Sequence, residues 1–313
     1  MARFIKHIVL FLFFALPVYC ALLFASGFFV PNHYQGNFFP QPDTRSFLRE
    51  RIHEIPGYAG TDLLVVGPSL VQRGFDPRVF KSYGYRIFLL ASGGQNPMQS
   101  HILLKRYLDT LKPKRIVFVV YPDLFVKDGV EPSLDLAISD RIDGQNWEDL
   151  VRRPNLRLFN TLLYWHERQV FGLRAPALRD SNEYDRYIPG GFLERRDNGR
   201  NNELPQACDP GPQLPLNREH LRFLDECLSL TKKKSIPYQI VQLPLTTARY
   251  KCRTASAGID SLLSMRGPYF NFNGRVLLND TFDFSDNAHL MPSGAIRFSE
   301  AFIWQMRQTG FLK

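Results

Sequence analysis

The chain has 313 residues, 44% of them hydrophobic and 22% charged, which suits one large globular domain or two small ones and excludes a wholly disordered or fibrous protein. The net charge is +9, yet its densest cluster, Lys232-Lys233-Lys234, has no basic helix or aromatic–basic alternation around it, so no nucleic-acid partner is expected. An excess of positive charge fits an anionic surface or polymer, against the bland alternative of a solvated basic surface.

Residues 8–30 carry no charge and are dominated by Leu, Phe, Val and Ala. As a helix they would span roughly 34 Å, enough for a bilayer core. Arg3 and Lys6 precede the run and no charge follows until Asp43, so the positive-inside rule places the amino terminus in the cytoplasm and the rest of the chain in the periplasm or outside. A signal peptide cut at Ala25-Ser26 competes with this reading, and the length of the run favours a retained anchor. The expected organisation is a tail over 1–7, a transmembrane helix over 8–30, a stalk over 31–60 and a folded domain over 61–313.

Within that domain, the unbroken apolar run 63–66 predicts a strand buried on both faces, followed by Gly67-Pro68-Ser69. Asp76-Pro77 opens a short helix. A second strand over 86–91 leads into Ser92-Gly93-Gly94-Gln95-Asn96, an apolar stripe predicts a helix over 98–111, and a third strand over 116–120 ends at Tyr121-Pro122-Asp123. This strand–helix alternation predicts an α/β fold with a parallel sheet and right-handed crossovers. An insertion over about 127–215 breaks the pattern, with helical signals over 147–171 and an irregular polar run over 179–215. Asn217 then caps a helix, residues 236–243 form a strand, a helix falls near 255–265, Val276-Leu277-Leu278 looks like a last short strand, and Ser293 caps a closing helix to about Thr309.

Ser69 is the first side chain beyond a buried strand, where ligands bind in open α/β sheets. Gly-x-Ser alone is a weak signal, and a turn serine at a helix start is the bland reading. A serine attacks only if a base takes its proton, and the base must be held in one tautomer. Asp286 and His289, three apart in a loop beyond the last predicted strand, supply a carboxylate and an imidazole from one turn and fall on the same sheet edge as Ser69. Asp123 and Asp283 are alternative carboxylates. His33, His53, His101, His166 and His220 share no metal-ligand spacing, so neither metal nor cofactor is expected. Of Cys208, Cys227 and Cys252, two can form a disulfide in an oxidising compartment, and the sequence does not choose the pair.

A strand ending in Gly67-Pro68-Ser69, followed by Arg73-Gly74-Phe75-Asp76-Pro77, Ala91-Ser92-Gly93-Gly94-Gln95 and Asp286-Asn287-Ala288-His289-Leu290 before a closing helix, resembles the SGNH/GDSL hydrolase superfamily. The similarity is to its membrane-anchored extracytoplasmic branch, which includes D-alanyl transfer and alginate O-acetylation proteins. It covers about residues 61–310, excluding the insertion. The resemblance implies a three-layer, flavodoxin-like parallel-sheet domain, with Ser69 as nucleophile, His289 as base and Asp286 as its partner. It implies oxyanion donors at the Ser69 N–H and at Gly93 or Gly94, plus an asparagine after the third strand. Tyr121-Pro122-Asp123 has no asparagine there, and Asn96 is the nearest substitute. The implied function is an O-acyltransferase or esterase acting on a cell-envelope glycan or polymer, alongside a multi-span acyl-donor membrane protein. A non-catalytic relative that binds or assembles envelope polymer is the competing expectation, and a plain secreted esterase is disfavoured by the anchor.

Overall fold

Nine-tenths of the chain is described by the computed structural model: residues 1–36, 38, 46–173, 176–196, 201, 217–251 and 256–313. In chain order the helices are α1 (Ala2–Phe29), α2 (Asn32–Gln35), α3 (Leu48–Glu54), α4 (Ser69–Gly74), α5 (Pro77–Ser82), α6 (Pro97–Leu111), α7 (Val130–Ser139), α8 (Gly144–Arg152), α9 (Leu156–Val170), α10 (Arg218–Lys233), α11 (Thr247–Lys251), α12 (Ser256–Ser264) and α13 (Pro292–Gln308). The strands are β1 (Leu63–Gly67), β2 (Ile87–Ala91), β3 (Ile116–Val119), β4 (Asp185–Ile188), β5 (Phe192–Arg195), β6 (Tyr238–Gln242) and β7 (Tyr269–Asn271). The chain divides into two compact units, Met1–Asp43 with Ser133–Ala177 and Thr44–Pro132 with Leu178–Lys313.

The second unit is built on a five-stranded sheet in the order β2-β1-β3-β6-β7, with every pair parallel. Every residue of β1, β2 and β3 is buried, as continuous apolar runs require when helices cover both faces. One face packs Leu63, Val65, Leu89 and Val117 against α4, α5 and α13. On the other side α6 meets β1 and is itself covered by α10, giving the expected three layers. Counting sheet strands in sequence, the order is that of flavodoxin-like sheets, with the chain reversing direction between β1 and β3. That crevice, outside the carboxyl ends of the strands, is where such folds bind ligands.

α13 is the anchor of the carboxyl-terminal part. Phe298 and Phe302 meet Phe75 edge-on at 5.2 and 5.1 Å between ring centroids, and Phe298, Phe302 and Met306 have no exposed surface. Each such side chain contributes roughly 1.5–3 kcal/mol, whereas an exposed ion pair contributes about 1 kcal/mol at most. Core burial therefore fixes where the loop before α13 ends.

Three expectations are corrected. The stalk predicted over 31–60 ends earlier, because Phe47, Leu48, Arg51 and Ile55 are buried in the sheet unit and Arg51 donates from Nε and Nη2 to the Gly191 carbonyl at 3.0 and 2.7 Å. The strand predicted over 276–278 is absent: Leu277 is 91% exposed, and the fifth strand is β7, held by register pairing of Tyr269 with Ile240 and Asn271 with Gln242. Within the irregular run 179–215, β4 and β5 form an antiparallel hairpin. Cys227 is a buried free thiol, so it takes no part in a disulfide, while Cys208 and Cys252 lie outside the described residues.

In the first unit, α1 carries the apolar run. Over Arg3–Phe29 its most apolar window has a mean hydropathy of 2.7 and is 6% buried, so this helix is long and apolar enough to cross a membrane.

Candidate active site

β1 delivers the serine through a tight passage. Gly67 has φ 155°, and a Cβ placed on it would lie 2.7 Å from the Val119 carbonyl oxygen of β3. Only glycine fits so close an approach. Pro68 follows in extended conformation (φ −75°, ψ −172°) and supplies no side-chain cap to α4. Ser69 is then the first residue of α4, and its N–H has no acceptor within its own helix. α4 is fixed by Arg73, whose two terminal nitrogens donate to Asp185 of β4 at 2.8 Å each. Both partners are nearly buried, with side chains 11% and 4% exposed, so this bidentate pair holds orientation as well as position.

The histidine stands on the loop before α13. Phe284 bridges Leu290, and the Ser285 N–H donates to the His289 carbonyl at 2.9 Å, closing the turn. Asp286 Oδ1 accepts the N–H groups of Ala288 and His289, each at 2.8 Å. Beneath the loop the buried Asp283 carboxylate accepts the Asn279 N–H and the Ser293 hydroxyl, both at 2.8 Å, and Arg297 at 3.0 Å. Sequence reasoning passed over this second acidic anchor's role and the tie of Thr246 to Asn287; neither has a signal beyond polar residues in a loop.

Two hydrogen bonds join the expected residues. Ser69 Oγ lies 2.7 Å from His289 Nε2, and His289 Nδ1 lies 2.7 Å from Asp286 Oδ2. Burial pushes the Asp286 carboxyl up, but the hydrogen bond and charge of the His289 ring, with the N–H groups of Ala288 and His289, outweigh it and hold the carboxyl at about 2. An ionised carboxylate can only accept, so Nδ1 carries a hydrogen, and in the neutral ring it is the Nε2 lone pair that faces the serine hydroxyl. Ser69 is half-buried, and the His289 and Asp286 side chains are 26% and 37% exposed. The chain of three groups is thus ordered and open to a ligand. Asp283, engaged with Arg297, and Asp123, paired with Arg249 of α11, do not stand at the histidine.

The donors around Ser69 are unequal. Gly67 pairs in register with Ala91, so Ser69 and Gly93 each lie two residues beyond the last paired position of adjacent strands. A Cβ on Gly93 would meet nothing within 4 Å, which leaves open space beside its backbone. Gly94 has φ 63° and turns the chain toward α6. Asn96 is not brought to the serine, and this expectation is corrected. It is 2% exposed, it accepts the Met98 N–H at 2.9 Å in a capping box with Gln99, and its Nδ2 lies 3.2 Å from His220 Nε2. Helix capping takes its oxygen, and the buried His220 takes its amide nitrogen. After β3, Tyr121 lies 3.5 Å from Arg249 through its hydroxyl; burial, then the Asp123 charge, push the phenol up to about 12 against the opposing pull of Arg249. Nothing in the sequence marked Arg249. Among the described residues no group of three or more His, Cys, Asp or Glu is arranged to hold a metal.

No family model matches the chain. The chain is similar to the protein DltD of Bacillus subtilis, 24% identical over 170 residues, a stretch covering 45% of this chain and 42% of that protein. The match therefore spans less than half of the relative's length. Among solved structures, a putative acylhydrolase from Bacteroides fragilis is 12% identical and aligns over 82% of this chain and 94% of its own, with a TM-score of 0.42. A GDSL-like lipase from Bacteroides thetaiotaomicron is 9% identical and aligns over 84% and 99%, also with a TM-score of 0.42. The chain is thus similar in sequence to DltD over that stretch, and its parallel five-stranded sheet is of the kind the motif resemblance implies.

Proposed function

We propose that the chain is a membrane-anchored acyl-ester enzyme, an O-acyltransferase or esterase, that works through Ser69, His289 and Asp286 on a cell-envelope glycan or polymer outside the cytoplasm. The observation that carries this reading is the unbroken relay from Ser69 Oγ through His289 to Asp286, both links at 2.7 Å. His289 Nε2 takes the hydroxyl proton as Ser69 Oγ adds to an ester carbonyl, and the Asp286 carboxylate stabilises the imidazolium that forms. The tetrahedral oxyanion faces the N–H groups of Ser69 and Gly93. His289 returns the proton to the departing alcohol, leaving an acyl ester on Ser69, and water or a glycan hydroxyl resolves it by the reverse steps. Similarity to DltD, together with α1, favours a surface-tethered enzyme over a secreted one and favours acyl transfer with a membrane-embedded partner as acyl donor.

A second reading, a non-catalytic binding or assembly factor, is favoured by the want of a side-chain amide at the serine: Asn96 is buried with its Nδ2 turned to His220, and Tyr121-Pro122-Asp123 has no asparagine. One missing oxyanion donor costs about 10²–10³ in rate, which leaves a slow enzyme rather than an inert one. Labelling with a fluorophosphonate probe separates the two readings. The enzyme reading expects labelling of the wild type that Ser69→Ala abolishes and His289→Ala strongly slows; equal labelling of wild type and Ser69→Ala, with the variant folded, would sink it.

A further inference from the structure

α9 belongs to the insertion, yet within its own unit it packs on the apolar helix. The Tyr19 hydroxyl of α1 donates to Asn160 Oδ1 at 2.6 Å, and the Phe24 ring lies 6.3 Å from Tyr164 and 5.3 Å from Phe171, between centroids. Tyr164 also fills the space where a side chain at Gly27 would stand. Tyr164 and Phe171 are separated by about 10 Å of helix rise, and both meet the same Phe24. α9 therefore runs across α1 rather than along it. The crossing lies near Phe24, six residues inside the end of the apolar run at Val30, or about 9 Å of helix. Helices that lie in a membrane interface bury their apolar side about 5–10 Å below the headgroups.

The surface of α9 suits that depth. Leu156 and Val170 are 70% and 68% exposed, as is Phe171 at 66%, and Leu163, midway between the first two at a helical spacing of seven, is half-buried on the same side. Arg168 stacks over the rings of the buried Tyr164 and Trp165 at 5.6 and 5.3 Å, which holds its guanidinium against α9 itself. In water these apolar groups would form an uncovered patch continuous with α1. We propose that α9 is a second membrane element, an interfacial helix that crosses the carboxyl-terminal end of α1 and rests its Leu156, Leu163, Val170 and Phe171 side on the acyl chains of that phospholipid leaflet. The inference rests on α1 spanning the bilayer and is independent of the chemistry at Ser69. Its consequence is that α1 cannot swivel freely beneath its unit, because two elements at an angle fix the unit's attitude to the membrane.

Depth can be read with the full chain in phospholipid nanodiscs. In a chain with Cys20, Cys208, Cys227 and Cys252 replaced by alanine, nitroxides are attached at Leu156→Cys and Val170→Cys. References are placed at Phe13→Cys on α1 and Met265→Cys, exposed 71% and 80% respectively. Oxygen concentrates among acyl chains and a nickel chelate in water. The expected result is loss of nickel broadening with strong oxygen broadening at 156 and 170, matching 13 and opposite to 265. Nickel access at 156 and 170 equal to that at 265, with 13 protected, overturns the proposal. Protection from both reagents at 156 and 170 also overturns it, since protein and not lipid then covers the helix. Nickel access at 13 removes the span and the proposal with it. If the cysteine-free chain does not fold, Trp304→Phe with native cysteines reports through Trp147 and Trp165: acyl-brominated lipids quench the emission if α9 lies in the interface, and unchanged emission refutes it.

Discussion

Gly67→Ala tests how the fold aims the serine. The added methyl would sit 2.7 Å from the Val119 carbonyl oxygen, 3.0 Å from Val119 Cβ and 3.1 Å from a Val71 methyl. Reaching ordinary contact at 3.4 Å requires β1 and β3 to part by about 0.7 Å, and backbone on a neighbouring strand yields less readily than a side chain. The φ of 155° is also poorly tolerated by a residue with a Cβ. Backbone strain of about 1–3 kcal/mol and overpacking of about 1–3 kcal/mol together give roughly 2–6 kcal/mol of lost stability. Ser69 is two residues on, and a misplacement of about 1 Å at a reacting group costs on the order of 10² in rate. Urea unfolding followed by circular dichroism measures the first effect, and the fluorophosphonate labelling rate of folded protein measures the second, with an expected slowing of about 10–100-fold. Gly93→Ala is the control, because its methyl meets nothing within 4 Å, and its stability is expected to stay within about 0.5 kcal/mol of wild type. A Gly67→Ala protein that unfolds at the wild-type urea concentration and labels at the wild-type rate would refute the reasoning.

Asp286→Asn replaces an acceptor with a group that can donate to His289 Nδ1, moving the ring hydrogen to Nε2; single-turnover acylation should fall by about 10⁴-fold, and a fall below tenfold would contradict the assigned tautomer. The same carboxyl gives a pH signature. Its folded value of about 2 lies below the ordinary 3.8, so the unfolded chain takes up the proton first, and the stabilisation is complete above about pH 4 and lost as pH falls through 2. Thermal unfolding of wild type and Asp286→Asn should therefore differ by a constant amount from pH 7 to 4 and converge toward pH 2. Arg73→Ala leaves Asp185 charged and 4% exposed without its partner. A loss of about 3–5 kcal/mol is expected in denaturant titration, and Arg73 and Asp185 changed together to apolar residues should recover much of it.

The legible part of the fold was the part whose signal is local. β1, β2 and β3 are uninterrupted apolar runs, and burial on both faces is what such runs mean. Ser69 follows such an element and His289 precedes the closing helix, although Ser293, expected as that helix's cap, lies within it and donates to Asp283; residues more than 200 positions apart could thus be assigned to one sheet edge, and the structure brings them within 2.7 Å. The failures are non-local. β7 is a half-buried edge strand of Tyr269, Phe270 and Asn271, fixed by pairing with β6 and not by its own pattern, whereas the more apolar 276–278 is unpaired. The β4–β5 hairpin exists because Asp185 meets Arg73 and Phe192 enters the core, neither of which a polar, glycine-rich stretch announces. Asn96 looked available because it follows a strand, yet an asparagine before Pro97 is also a helix cap, and capping won.

The account stands on a covalent step at one serine. Wild-type protein incubated with an activated aryl acetate, quenched in acid and digested, should carry an acetyl group on the peptide containing Ser69, located to that hydroxyl by tandem mass spectrometry. Asp286→Asn should accumulate it far more slowly and Ser69→Ala not at all. Acetyl ester appearing in folded wild-type protein only on other residues, or equally in Ser69→Ala, would contradict the central claim.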